Sequence, residues 1–390
     1  MNFTYARLRP NPMLTLAVVA CAVSVQGQTL LERIIGTPTG TNGYEEYLMA
    51  ADLVSGDAFT KMVESISGGG TGTFLEANLA LRDRFGRALE LVRSGNAKGV
   101  KDPRAAYTLT TEFPELSPFR SLGRLFLADA YVHLAEGRSE AAAKDLADCI
   151  EFGRRIQITT TISMLVGSSI QNGAFTEVRR RAIGFSIKAL PPLTQVAQKL
   201  SALEPPVRTT LRTEIEFIQW FAEEVLSGRA SLDDFADADE RAFIALRRIQ
   251  SAPASRKQSF LAGLRSALSG FGERLARMLA RPVREWRELS PPESSDPDVQ
   301  EFLSVMPDLS GLVKRSAVQQ VRYRLLAAYC AVLEYKWNHD ALPPNLDSLA
   351  DPGVASDPMS DGLMGYERRG NEFELYSRGS DLTGPIRLSE

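Results

Sequence analysis

Apolar residues recur at steps of three and four along most of this chain, and the densest such stretch runs from Pro114 to Arg181. It predicts three consecutive helices. In the first, Leu122, Leu125, Phe126, Leu127, Val132 and Leu134 leave almost no polar face, so that helix belongs inside. Gly137 stands where a helix C-terminus needs a left-handed residue. The second carries Ala142, Leu146, Cys149, Ile150 and Gly153 on one face. The third opens at Thr159–Thr161 and continues through Ile162, Leu165, Val166, Ile170 and Ala174. Its Gly167 and Gly173 are small enough to let a neighbouring helix come close.

The same period returns on both sides of this block. Helices are predicted from Tyr44, from Phe74 to Ser94, from Pro191 through Leu203, from Pro205 through Leu226, and from about Val313 to Asn338. Proline pairs open two of them, where a missing N–H costs nothing. From Arg256 to Ala280, Phe260, Leu264, Leu268, Phe271, Leu275 and Met278 form one apolar stripe beside Arg274, Arg277 and Arg281. That pattern serves either core packing or a membrane surface. Helix and Pro/Gly punctuation alternate without a strict period. The fold class is therefore mainly α, an irregular array of helical hairpins that is only loosely tetratricopeptide-like.

From Leu342 the period shortens to two. Leu342-Pro343-Pro344 turns into a short helix. Met364 to Arg368, a turn at Arg369-Gly370-Asn371 and Glu372 to Ser377 then predict a β-hairpin, with Phe373 and Leu375 on one side and Glu374 and Tyr376 on the other. The expected organisation is a targeting segment over residues 1–27 and a helical body over 28–290. A linker and short helix follow over 291–312, where Ser290 to Pro297 is the clearest break, and a long helix with a small α/β tail over 313–390.

Composition adds a compartment. Arg7 and Arg9 precede the apolar run Met13–Val25, which is too short to span a bilayer, and together they read as a signal peptide. Cleavage after Gly27 gives a mature start at Gln28. The alternative is a lipobox, Val18-Val19-Ala20-Cys21, which would make Cys21 a lipid anchor. Either route, or an uncleaved anchor, places the chain in the periplasm or cell envelope. A net charge of −3 gives no case for a nucleic-acid partner. Any membrane attachment is then expected through Cys21 or the N-terminal segment.

Little in the chain points to catalysis. There are only two histidines. His133, four residues after Asp129 on a mostly apolar helix, reads as structural, and His339 as a helix-end residue. Hydrolase signatures and paired cysteine–histidine motifs are missing. Glu214, Glu216, Glu223 and Glu224 share one helix and read as a wet face. Ser67 to Gly72 lacks the lysine of a phosphate loop and reads as a linker. Arg179-Arg180-Arg181 suits a helix C-terminus. Asp233, Asp234, Asp237, Asp239 and Glu240 make a local acidic cluster. Cys149 and Cys330 read as buried apolar residues, and a bridge between them requires their Cα atoms within about 7 Å.

The tail, with its leucine–proline turn, Asp357-Pro358, Tyr366, Phe373-Glu374-Leu375-Tyr376-Ser377 and Gly379-Ser380-Asp381, resembles the C-terminal head of type II secretion pseudopilins. The body, in stretches such as Asn42-Gly43-Tyr44-Glu45-Glu46-Tyr47 and Phe113-Pro114-Glu115-Leu116, resembles uncharacterised helical proteins of the bacterial envelope. The pseudopilin likeness implies a calcium site in the end loop, for which Asp381 is the candidate ligand here. Thr383-Gly384-Pro385 offers no second acid, and a hard cation needs about six oxygens. No filament motif precedes the head. The reading that follows is a non-enzymatic exported protein acting through protein contacts, linked by family analogy to a secretion or pilus-like apparatus. The competing reading is a periplasmic hydrolase with carboxylates in a groove between helices.

Overall fold

The computed structural model describes residues 28–67, 74–104, 107, 111–158, 160–232, 240–304 and 309–389. The expected signal segment with Cys21, the glycine-rich stretch from residue 68 and the acidic run 233–239 lie outside the described residues.

The chain is mainly helical, as its period of three and four predicts. Helices α1 (Leu30–Ile34), α2 (Gly43–Val54), α3 (Asp57–Ser67) and α4 (Phe74–Asn96) lead into the central block α5 (Leu116–Ala135), α6 (Ser139–Arg155) and α7 (Thr161–Arg181). Each of these three packs on its chain neighbour, and α4 packs on α5. Local chemistry sets the ends. Thr29 and Ser163-Thr160 form capping boxes at α1 and α7, and the Asn42 side chain caps α2. Gly137 takes φ +75° between α5 and α6, as its position in the sequence demands.

The close approach expected at Gly167 is real. A Cβ there would overlap the carbonyl oxygen of Gly153, and a Cβ at Gly153 would collide with that of Gly167. Helices α6 and α7 therefore touch backbone to backbone. Gln157 and Gln171 fill the space alongside, bonded to one another at 3.1 Å, and Gln171 also donates to the Ile150 carbonyl and to the Tyr323 hydroxyl.

Five further helices and a long one follow among the described residues. Helix α8 (Leu190–Ser201) starts at its proline pair. Helices α9 (Val207–Leu226), α10 (Glu240–Gln250), α11 (Ala254–Leu279) and α12 (Pro297–Ser304) enclose a second, smaller core of Ile218, Phe221, Leu246, Phe260, Leu264 and Phe302. The apolar stripe of α11 is thus spent on internal packing, with Phe260, Leu264, Leu268, Phe271, Leu275 and Met278 all buried. Among the described residues no helix is long and apolar enough to cross a membrane.

Helix α13 (Leu309–His339) begins four residues earlier than its periodicity suggests and carries the tail. Strands β1 (Gly365–Arg369) and β2 (Glu372–Ser377) form the expected hairpin, but Arg369 joins the first strand, opposite Glu372, and leaves Gly370-Asn371 as a two-residue turn, while Gly365 lies opposite Tyr376. A two-residue strand β3 (Ile386–Arg387) pairs antiparallel with the end of β2. Two residues are too few to show an alternating pattern, so this strand had no sequence signal. Tail residues Leu342, Leu346, Met364, Leu375, Ile386 and Leu388 belong to the same continuous apolar core as α2, α5, α6, α7 and α8. The Tyr329 ring of α13 lies 4.7 Å from Phe373. Arg322 of α13 binds Asn172 of α7 and the Arg387 carbonyl, and Arg179 of α7 reaches the Ser389 carbonyl.

Candidate functional site

The polar side chains that converge most closely come from three successive helices. Asp129 and His133 occupy one side of α5, a turn apart. Asp145 and Asp148 lie on α6, and Arg93 on α4. Nδ1 of His133 is 2.7 Å from Oδ2 of Asp145, and its Nε2 is 3.7 Å from Oδ1 of Asp129. Arg93 reaches Oδ1 of Asp145 at 2.5 Å, Oδ2 of Asp148 at 3.1 Å and Oδ2 of Asp129 at 3.5 Å. The side chains of Asp129 and Asp145 are 7 % and 3 % exposed.

Asp129, His133, Asp145 and Arg93 line a cleft of about 470 Å³ together with Arg82, Arg138 and Lys144. Burial pushes the carboxyl of Asp129 above the usual aspartate range, and the neighbouring Asp145 charge pushes it further. Burial also pushes Asp148 up to about 6, against the opposing pull of Arg93. Chemically, the cluster can hold a positive charge in a partly desolvated place. It has three carboxylates around one guanidinium, with an imidazole wedged between two of the acids.

The period of α5 placed Asp129 and His133 together, and the structure confirms that they share a face. Asp145 and Arg93, which join them in the structure, are not among the residues that the sequence reading singles out. Asp145 lies on the buried side of α6 among Ala142, Leu146 and Cys149, where a carboxylate needs a partner. That violation of the apolar pattern was the available signal.

Other singled-out residues do not converge. Of the four acids on α9, Glu214 accepts the Thr161 N–H at the start of α7, Glu223 pairs with Arg265, Glu224 with Arg229, and Glu216 lies 3.9 Å from Arg212. Arg180 and Arg181 pair with Glu177 on their own helix. His339 is exposed and stacks on Tyr335 with ring centroids 3.9 Å apart. Cys149 and Cys330 are free thiols, both buried. Asp381 is exposed in the end turn, and the acid that organises that loop is Asp357. It accepts from the Ser377 hydroxyl at 2.6 Å and from the Arg378 N–H at 2.8 Å.

The two stretches that carry the likeness to envelope proteins meet in a second buried network. Tyr44 donates to Glu115, which also holds Arg104 at 2.7 Å. Glu45 accepts from Thr39 and from the Gly40 N–H, Glu46 pairs with Lys98, and Tyr47 donates to Asn96. Each of these polar groups is used to fasten α2 to the loops and helices around it. Compared with protein-family models, with curated proteins and with solved structures, the chain matches none.

Proposed function

We propose that this chain is an exported protein of the cell envelope that works through protein–protein contacts rather than turnover, in association with a secretion or pilus-like apparatus. The observation that carries this reading is the state of the cleft acids. Asp129, Asp145 and Asp148 all face Arg93, and Asp145 also holds His133. A general acid–base pair must instead present its carboxyls to substrate.

The hydrolase reading draws on the same cleft and on the raised pKa of Asp129. Its weakness is engagement: Arg93 holds both Asp129 and Asp145, and His133 holds Asp145 as well.

An indole favours the contact reading. Trp337, near the end of α13, is 51 % exposed although its N–H is satisfied by the Phe185 carbonyl at 2.7 Å. Ile187, two residues beyond that carbonyl, is exposed as well. A large apolar ring held in place at the surface is the usual anchor of a protein contact.

The test is a photo-crosslinking amino acid at position 337 of the full-length chain, expressed in cells, with adducts identified by mass spectrometry and cell fractions assayed for the chain. The expected result is an envelope fraction and one dominant protein adduct. Release of products from wall glycans by the purified chain, without any adduct, reverses the reading.

A further inference from the structure

We infer that His133 and Asp129 form a binding site for a divalent transition-metal ion of the zinc class, with Asp145 and Arg93 as the groups that orient its ligands. This goes beyond the contact function proposed above and does not depend on it.

The argument starts from an unmatched pair of acceptors. Asp145 accepts from Nδ1 of His133 at 2.7 Å, which places the hydrogen of a neutral imidazole on that nitrogen. Nε2 is left bare, and it faces Oδ1 of Asp129 across 3.7 Å. Of the four oxygens of Asp129 and Asp145, three are engaged by Arg93 or His133. The fourth, Oδ1 of Asp129, is buried and has no hydrogen-bond partner. Two lone pairs opposed in a buried place repel, and an unpaired carboxylate oxygen there is costly. A cation between them removes both defects.

The dimensions suit a small ion. At 3.7 Å the gap is too wide for an N–H···O bond, which spans about 2.7–3.2 Å. A tetrahedral ion with ligands at about 2.0–2.1 Å separates them by about 3.3 Å. The two atoms need to close by only a few tenths of an ångström. Imidazole nitrogen with carboxylate oxygen is a donor set for zinc, manganese or iron rather than for calcium. The surroundings follow the usual carboxylate–histidine–metal arrangement. Asp145 fixes the ring, and Arg93 fixes Asp145 through its other oxygen at 2.5 Å. Charge agrees too. Three carboxylates stand around one guanidinium, so acidic groups outnumber the cation among them. Asp129 and His133 both line the cleft, through which water would reach the ion to complete its shell.

Titrate the full chain with zinc chloride, and separately with cobalt chloride, by calorimetry at pH 7.5 in the presence and absence of a chelator. One ion per chain is expected to bind. Asp129→Asn and His133→Gln should each weaken it at least 100-fold. Asp145→Asn, which keeps both direct ligands, should weaken it about 10- to 100-fold. X-ray absorption on the zinc-loaded wild-type chain should show one imidazole and an otherwise oxygen shell, a readout that does not require any variant to fold. Absence of binding to the wild-type chain, unchanged binding in folded Asp129→Asn, or a shell without imidazole overturns the assignment.

Discussion

The hydroxyl of Tyr44 donates to Oε1 of Glu115 at 2.8 Å, joining positions 71 residues apart. Glu115 is fully buried and has one other strong partner, Arg104. Burial pushes the Glu115 carboxyl up, and Arg104 opposes it. Tyr44→Phe removes one bond and leaves the pair intact, so the expected loss is about 1–3 kcal/mol. Glu115→Ala removes that bond and one of the two acids that hold the buried Arg104, which keeps Asp102 at 3.1 Å, so it should cost more than Tyr44→Phe, up to about 3–5 kcal/mol. Urea unfolding of both variants checks the order. Equal losses would mean that the hydroxyl, and not the charge pair, holds α2 to α5.

Acid should act selectively on the smaller core. Asp296 precedes Pro297 and accepts from the N–H groups of Asp298 and Val299, the geometry of an N-cap on α12. Arg256 of α11 grips the same carboxylate at 2.5 and 2.8 Å. That hydrogen bonding draws the pKa of Asp296 down to about 2. A carboxyl depressed on folding stabilises above its unfolded pKa of about 3.9 and loses that contribution as pH falls through its folded value. The stabilising term is therefore complete above pH 4 and vanishes toward pH 2. Asp296→Asn keeps the cap and removes the charge. Its melting temperature should lie below wild type at pH 6 and converge with it near pH 2. Parallel curves throughout that range would remove Asp296 from the account of acid stability.

Helices were legible because amphipathic and all-apolar stretches repeat over whole turns, and the hairpin because Phe373 and Leu375 alternate with Glu374 and Tyr376 over six residues. Boundaries at Gly137 and at the proline pair of α8 followed from backbone chemistry. The candidate site was half legible. Asp129 and His133 are neighbours on one helix, and helical spacing reports such pairs. Arg93 and Asp145 lie 36 and 16 positions from Asp129, on helices whose mutual rotation no local pattern specifies. The tail was legible as an element, but not the polar clamps of Arg179 and Arg322 on its last residues, because a backbone carbonyl leaves no trace in a sequence.

Backbone contact between α6 and α7 leaves no room for a methyl group. Gly167→Ala places its Cβ against the Gly153 carbonyl and the Gln157 side chain. The glutamine can turn aside but the carbonyl cannot, so the helices must separate and the bonds among Gln157, Gln171 and Tyr323 stretch. Overpacking of this kind costs about 1–3 kcal/mol, and the broken buried hydrogen bonds add to it. Thermal melts should place Gly167→Ala well below Gly173→Ala, whose Cβ meets only the end of the Leu127 side chain at 3.2 Å. The reverse ranking would show that α6 and α7 slide freely past one another.

Removing residues 342–390 tests whether the long helix carries its sheet as an appendage or as part of one core. Leu342, Leu346, Leu375, Ile386 and Leu388 are each about 95 % buried, and they share a continuous apolar cluster with α5, α6 and α8. Burying one such leucine or isoleucine contributes about 1.5–3 kcal/mol. Losing five removes about 7.5–15 kcal/mol, as much as the margin of about 5–15 kcal/mol that holds a typical domain together, before the loss of the Arg179 and Arg322 bonds is counted. Without the tail, Tyr329 loses its ring contact with Phe373, and Asn172 of α7 faces an arginine whose other partner is gone. The shortened chain should therefore expose α7, α8 and α13 to rapid amide exchange while α10, α12, the Ile218–Leu226 half of α9 and the Phe260–Leu268 half of α11 keep their protection in the smaller core. Uniform protection equal to wild type would show that sheet and body fold independently.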